Sequence, residues 1–250
     1  MSKRQLTWIV AVGIAITVPL LCSLLPAVAD DPKSAALMQT LPPDGAWVTF
    51  NVTVKVNDQE FAMTGTARSV GQVFHGGKTC RFIEYEQTVD APPALNIPQL
   101  GNLTWRLLVP EEEFGEGKDP LSKADKTWVK IDAMQPEAVE SVELKDPFFA
   151  ILFQGPKKNL KIDDAKEKVI WQRGELECSV ISGQNDLEIG VVKLNMTHRI
   201  LRHHDVPFGI AGMQQELKVS FGGQDEKVAI RVSLRDHGND AKAKLPDLQP

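Results

Sequence analysis

The sequence predicts a mainly β (α+β) fold: a curved antiparallel sheet or half-barrel of about nine to ten strands with two or three short helices. Three observations carry this. Val48, Phe50, Val52, Val54 and Val56 alternate with Thr49, Asn51, Thr53 and Lys55, and Val228, Ile230, Val232 and Leu234 alternate just as cleanly near the other end. A period of two with one apolar face marks a half-buried strand. Turn-forming pairs (Asn57-Asp58, Gly76-Gly77, Arg173-Gly174, Gly222-Gly223) separate the apolar runs, so most connections read as hairpins and the sheet as antiparallel. No self-similar repeat runs along the chain, which excludes a solenoid or propeller.

In chain order, residues 1–29 read as a cleavable signal peptide. Lys3 and Arg4 precede an uncharged apolar run from Leu6 to Leu25, and Pro26 and Ala27-Val28-Ala29 supply the break and the small residues before cleavage. A retained anchor needs about 20 apolar residues, which the run approaches, but Asp30 and Asp31 suit a free mature end better. Cys22 follows two leucines rather than a small residue, which argues against lipidation. The expected location is therefore periplasmic or extracellular, with no stable membrane span after cleavage.

Lys33 to Leu41 reads as a short helix, capped by Asp31-Pro32 and stopped by Pro42-Pro43. The strand from Val48 is followed by one at Phe61–Val70, whose Ala62, Gly65 and Ala67 allow a close approach. Further strands are expected at Cys80–Gln87, Leu103–Val109 and Thr127–Ile131, with a proline-rich loop over 90–98 and a charged loop over 111–126. Asp146-Pro147 opens Phe148, Phe149, Ala150, Ile151, Leu152 and Phe153, closed by Gly155-Pro156, which reads as a short helix apolar on every side. It either fills the core or lids an apolar ligand. Strands return at Val169–Trp171 and Leu176–Ile181, and Leu187–Leu201 reads as one long strand with a bulge at Gly190-Val191. A turn at His203–Gly209 and two last strands follow. One domain is expected over 30–236 and a flexible tail over 237–250.

Of 28 basic residues two leave with the leader, so 26 face 33 acids and the mature net charge is −7. That argues against nucleic-acid binding, which normally shows a basic patch. Cys80 and Cys178 remain, an even pair in an oxidising compartment and a candidate disulfide worth about 4 kcal/mol by loop closure; two separate buried thiols are the alternative.

Chemistry is sparse. No nucleophile elbow, zinc-protease or phosphate-loop motif occurs, and no cofactor is implied. His203-His204-Asp205, with His198 nearby, is the tightest polar group. Side chains at adjacent strand positions point to opposite faces, so it reads as a solvated hairpin end rather than a metal site. Glu84 and Glu86 share a strand face with Cys80 and Phe82 and read as exposed.

The blocks Asp44-Gly45-Ala46-Trp47-Val48, Lys78-Thr79-Cys80-Arg81-Phe82-Ile83-Glu84 and Val206-Pro207-Phe208-Gly209 resemble those of uncharacterised exported proteins of planctomycete-type bacteria. The architecture more loosely resembles half-barrel lipoprotein and lipid carriers, a likeness at fold level alone. The apolar helix Phe148 to Phe153 beside long strands, with the charged loop over 111–126 as a rim, points to a non-enzymatic envelope protein with an apolar or lipid-like ligand in its concave sheet. A protein-interaction module binding an envelope partner is the alternative. An unrecognised hydrolase using His204, Asp205 or Glu84 ranks third.

Overall fold

A computed structural model describes residues 40–56, 59–90, 102–115, 118, 120, 123–139, 155–189, 192–221 and 224–246. The expected signal peptide, the first expected helix up to residue 39 and the apolar segment Phe148 to Phe153 lie outside them.

The described chain forms one antiparallel sheet of eleven strands. These are β1 (Trp47–Val56), β2 (Gln59–His75), β3 (Lys78–Asp90), β4 (Leu103–Pro110), β5 (Lys126–Ile131), β6 (Glu137–Val139), β7 (Lys158–Trp171), β8 (Gly174–Ile189), β9 (Val192–Arg202), β10 (Ile210–Phe221) and β11 (Gln224–Gly238). Their spatial order is β6-β5-β4-β3-β2-β1-β11-β10-β9-β8-β7. Each half is thus a plain meander, and the first and last strands join the halves through the long register from Trp47↔Gly238 to Val56↔Val228. Both edges, β6 and β7, stay unpaired, so the sheet is open.

The count exceeds the sequence expectation because β6 is only three residues long; β7 is longer than expected because its first half (Lys158 to Asp163) is too polar to show a strand period. Gly190-Val191, where a bulge was expected, lies outside the described residues, but Ile189 pairs with Val192, so β8 ends and β9 begins where one long strand was expected. β2 carries a bulge between Ser69 and Gln72, where Gly71 takes φ +102°. Gly65 makes room for Tyr85, since a Cβ there would lie 2.5 Å from the Tyr85 hydroxyl. Among the described residues only two three-residue 3-10 turns, Glu111–Glu113 and Pro207–Gly209, interrupt the strands.

The sheet curls. β7 and β11 are four places apart, yet Trp171 at the end of β7 stacks on His237 of β11 with ring centroids 4.8 Å apart. Arg173 closes the same junction on Asp236 at 2.5 Å. One continuous apolar cluster gathers on the inner face, including Val48, Val52, Ile83, Leu107, Val109, Met196, Ile200, Met213, Ile230 and Val232.

The C-terminal segment corrects the expected flexible tail. Strand β11 runs to Gly238, and residues 239–246 then cross the outer face as a strap. Ala241 N–H donates to Gly45 O at 2.8 Å, Trp47 Nε1 donates to Asp240 Oδ1 at 2.8 Å, and Leu245 is buried. No local pattern announces this, because the partners lie on β1 to β4.

Candidate functional site

The inner face is the largest apolar surface the fold builds, and alternation builds it. Row by row, Phe61, Val54 and Ile230 continue into Gln215, His198 and Gly183, while Met63, Val52 and Val232 continue into Met213, Ile200 and Ile181. The second row is wholly apolar. The first carries a polar pair in its middle: Gln215 Nε2 and His198 Nδ1 lie 2.9 Å apart, and both side chains are buried. Burial pushes the His198 imidazole down to about 4, so it is neutral at ordinary pH. With the Gln215 amide donating to Nδ1, the proton sits on Nε2, which has no hydrogen-bond partner among the described residues.

The rims of this face are apolar as well. Of the five large hydrophobic side chains exposed among the described residues, Ile131 and Met134 lie at the β5–β6 edge and Ile162 on the β7 edge; Ile170 of the same strand alternates with Val169 and Trp171, which pack on the core, and so faces away. The fifth, Phe74, is at the end of β2. Exposed Leu or Ile singly means little, but their placement at both open edges marks a surface built for contact.

On the outer face, residues aligned across neighbouring strands form the row Trp47, Arg68, Glu84, Arg106, Trp128. Glu84, read from the sequence as exposed, is completely buried. Arg106 Nη2 donates to Glu84 Oε1 at 2.6 Å, and the strap supplies the rest. Backbone N–H groups of Lys244 and Leu245 donate to Glu84 at 2.7 and 3.0 Å, and Arg106 donates to the Leu245 and Pro246 carbonyls, each at 2.6 Å. Glu86 next to it accepts from Arg68 at 2.5 Å. Four donors hold the carboxylate in place, so the pair is structural.

The cysteines do not form the candidate disulfide; both are free and buried. Cys80 on β3 packs with Leu108 and Trp128, Cys178 on β8 joins the main core, and six strand steps separate the two strands. Desolvation raises both thiols, Cys178 to about 11, so neither is a ready nucleophile. His75 ends β2 at the Gly76-Gly77 turn.

No family model matches the chain, and no curated protein matches it. Among solved structures the chain is similar to a candidate exported protein with a YmcC-like fold from Bacteroides fragilis. That match has 10% identity and a TM-score of 0.35, covering 81% of this chain and 100% of the other. A candidate lipoprotein from Parabacteroides distasonis matches at 7% identity and a TM-score of 0.37, over 82% and 100% of the two chains. A DUF1329 family protein from Desulfovibrio piger matches at 10% and 0.29, over 76% and 84%. At these levels the likeness leaves function to be argued from this chain's own residues, and the planctomycete resemblance stays a reading of the sequence blocks.

The turn at His203–Gly209 completes the search. Strand β9 ends at Arg202, so the alternation that would send His203 and His204 to opposite faces does not apply. Their rings stack instead, with centroids 4.7 Å apart. His198, five residues earlier in the sequence, is part of the inner face and does not join them. A cleft of about 260 Å³ opens beside the two rings, lined also by Lys166, Glu177, Ser179, Arg202 and Phe208.

Proposed function

We propose that this chain is an exported, non-enzymatic envelope protein that holds an apolar, lipid-like ligand against the inner face of its curled sheet. The observation that carries the reading is the pairing of an apolar inner face with two sheet edges, unpaired among the described residues, at which Ile131, Met134 and Ile162 are exposed. Apolar rims on an open sheet lower the cost of passing an apolar molecule from water to the interior. The structural Glu84–Arg106 pair and the raised thiols favour binding over catalysis.

The alternative is a protein-interaction module that adds a partner strand at β7, whose Ile162 and Ile170 are exposed. Lys158, Lys161, Lys166 and Lys168 stud that strand, and lysines on an edge oppose strand addition, so this reading ranks second.

The test is a titration of delipidated mature protein with a fluorescent fatty acid. Saturable binding near one per chain is expected, weakened several-fold by Ile162→Asp. Absence of any saturable binding, with the fold intact by circular dichroism, would remove the ligand reading and leave the interaction module.

A further inference from the structure

The geometry points to a transition-metal site at the turn after β9, formed by His203, His204 and Asp205 and open to the adjoining cleft. Three observations place it. First, one donor atom from each residue lies within 4.8 Å of the others, including His204 Nε2 to Asp205 Oδ1 at 3.2 Å and His203 Nδ1 to Asp205 Oδ2 at 3.9 Å. In a tetrahedral site with bonds of about 2.1 Å, ligand atoms stand about 3.4 Å apart, so shifts on the order of 1 Å bring the three together.

Second, the turn that presents them is held from behind. Its backbone closes through His203 N–H to Gly209 O at 3.2 Å, Val206 N–H to His203 O at 3.3 Å and Gly209 N–H to Val206 O at 2.8 Å. Val206 and Phe208 anchor it in the core, and Phe208 is kept at φ +65°, a strained position for an aromatic residue. The ligand-bearing residues thus sit on a rigid support rather than a free loop.

Third, the tautomer of His203 is set. The Asp205 N–H donates to His203 Nδ1 at 3.2 Å, which leaves the Nδ1 lone pair on the side of the carboxylate. A metal would replace that N–H contact and take Nδ1 of His203, Nε2 of His204 and one Asp205 oxygen. The His204 ring must turn out of its stack on His203, and its side chain, 85% exposed, can do so without disturbing the core.

Two imidazoles and a carboxylate suit Zn²⁺, Ni²⁺ or Cu²⁺ rather than Mg²⁺ or Ca²⁺, which want oxygen donors. With three protein ligands the remaining positions face the cleft, where Lys166 and Arg202 would favour an anionic fourth ligand over water alone. This site is independent of the inner face, and its outcome does not depend on whether an apolar ligand binds there.

The experiment is calorimetric titration of the full mature chain with ZnCl₂, paired with the visible absorption of the Co²⁺ form. One Zn²⁺ per chain in the micromolar range and four-coordinate Co²⁺ bands are expected. His204→Ala and Asp205→Asn should each weaken binding at least tenfold, while His75→Ala leaves it unchanged. His204 and Asp205 are largely exposed, so both variants keep the fold, checked by circular dichroism. No saturable Zn²⁺ binding, or binding untouched by either substitution, overturns the site.

Discussion

Two arginine–glutamate pairs tie neighbouring parts of the sheet together, and their surroundings differ completely. Glu84 and Arg106 face each other across β3 and β4 with almost no solvent contact. Arg199 of β9 reaches across β8 to Glu167 of β7, and both side chains stay 39% exposed. Arg199 holds the Glu167 carboxyl below its usual range. That interaction is screened by water and worth little to folding. The first pair is dry, and every oxygen of Glu84 is used by Arg106 or the strap. Identical chemistry thus forms a surface contact at one site and a commitment of the fold at the other.

The largest effect should follow from breaking the dry pair. Glu84→Ala leaves Arg106 buried and uncompensated, at a cost of about 3–5 kcal/mol in urea unfolding. Replacing both partners with apolar residues of similar volume should cost much less, since much of a buried pair's attraction repays desolvation. If the single change cost under 1 kcal/mol, the contrast between the pairs would be wrong.

Next comes His198, buried on the inner face with its pKa at about 4 against 6.5 when exposed. Above pH 6.5 both states are neutral and stability is full. As pH falls the unfolded chain takes the proton first, so about 3 kcal/mol is lost between pH 6.5 and about 4, and the loss then levels off. His198→Gln should flatten that window relative to the parent.

Leu245→Ala tests the strap itself. It removes a buried side chain beside the dry pair at about 2 kcal/mol and should expose Glu84 amide partners to faster hydrogen exchange. Glu167→Ala should cost no more than about 0.5 kcal/mol and less still in high salt.

Much of the sheet was legible because its centre obeys simple alternation. Strands β1, β10 and β11 each show one apolar face to a single core, with Asn57-Asp58 after β1 and Gly222-Gly223 between β10 and β11 as turn signals in the sequence. β3 was harder to interpret. Arg81, Ile83, Tyr85 and Gln87 on one side and Cys80 and Glu84 on the other are all buried, because the core covers one face, while on the other Leu108 and Trp128 pack on Cys80 and residues 239–246 cover Glu84. A cover arriving 160 positions along the chain leaves no local period. The exposed reading of Glu84 failed for that reason, and so did the flexible tail. The paired cysteines failed because an even count says nothing about strand order. The turn histidines do sit at the solvated hairpin end after β9, and only their placement on opposite faces failed, because period-two geometry stops at Arg202 and the rings stack.

The pairing of β1 with β11 has a consequence for biogenesis. Each meander can zip up from local hairpins as it is made, but the edge of β1 that carries Val48 to Val56 waits for the last strand of the sheet. Until that strand emerges, an apolar edge with open hydrogen-bonding groups is offered to any other chain. Once it docks, the strap follows it directly and locks over β1 to β4. The strand that comes last in the sheet's chain order therefore seals it, so a chain ended before β11 would be marked by an unsealed seam at its centre rather than by a missing edge.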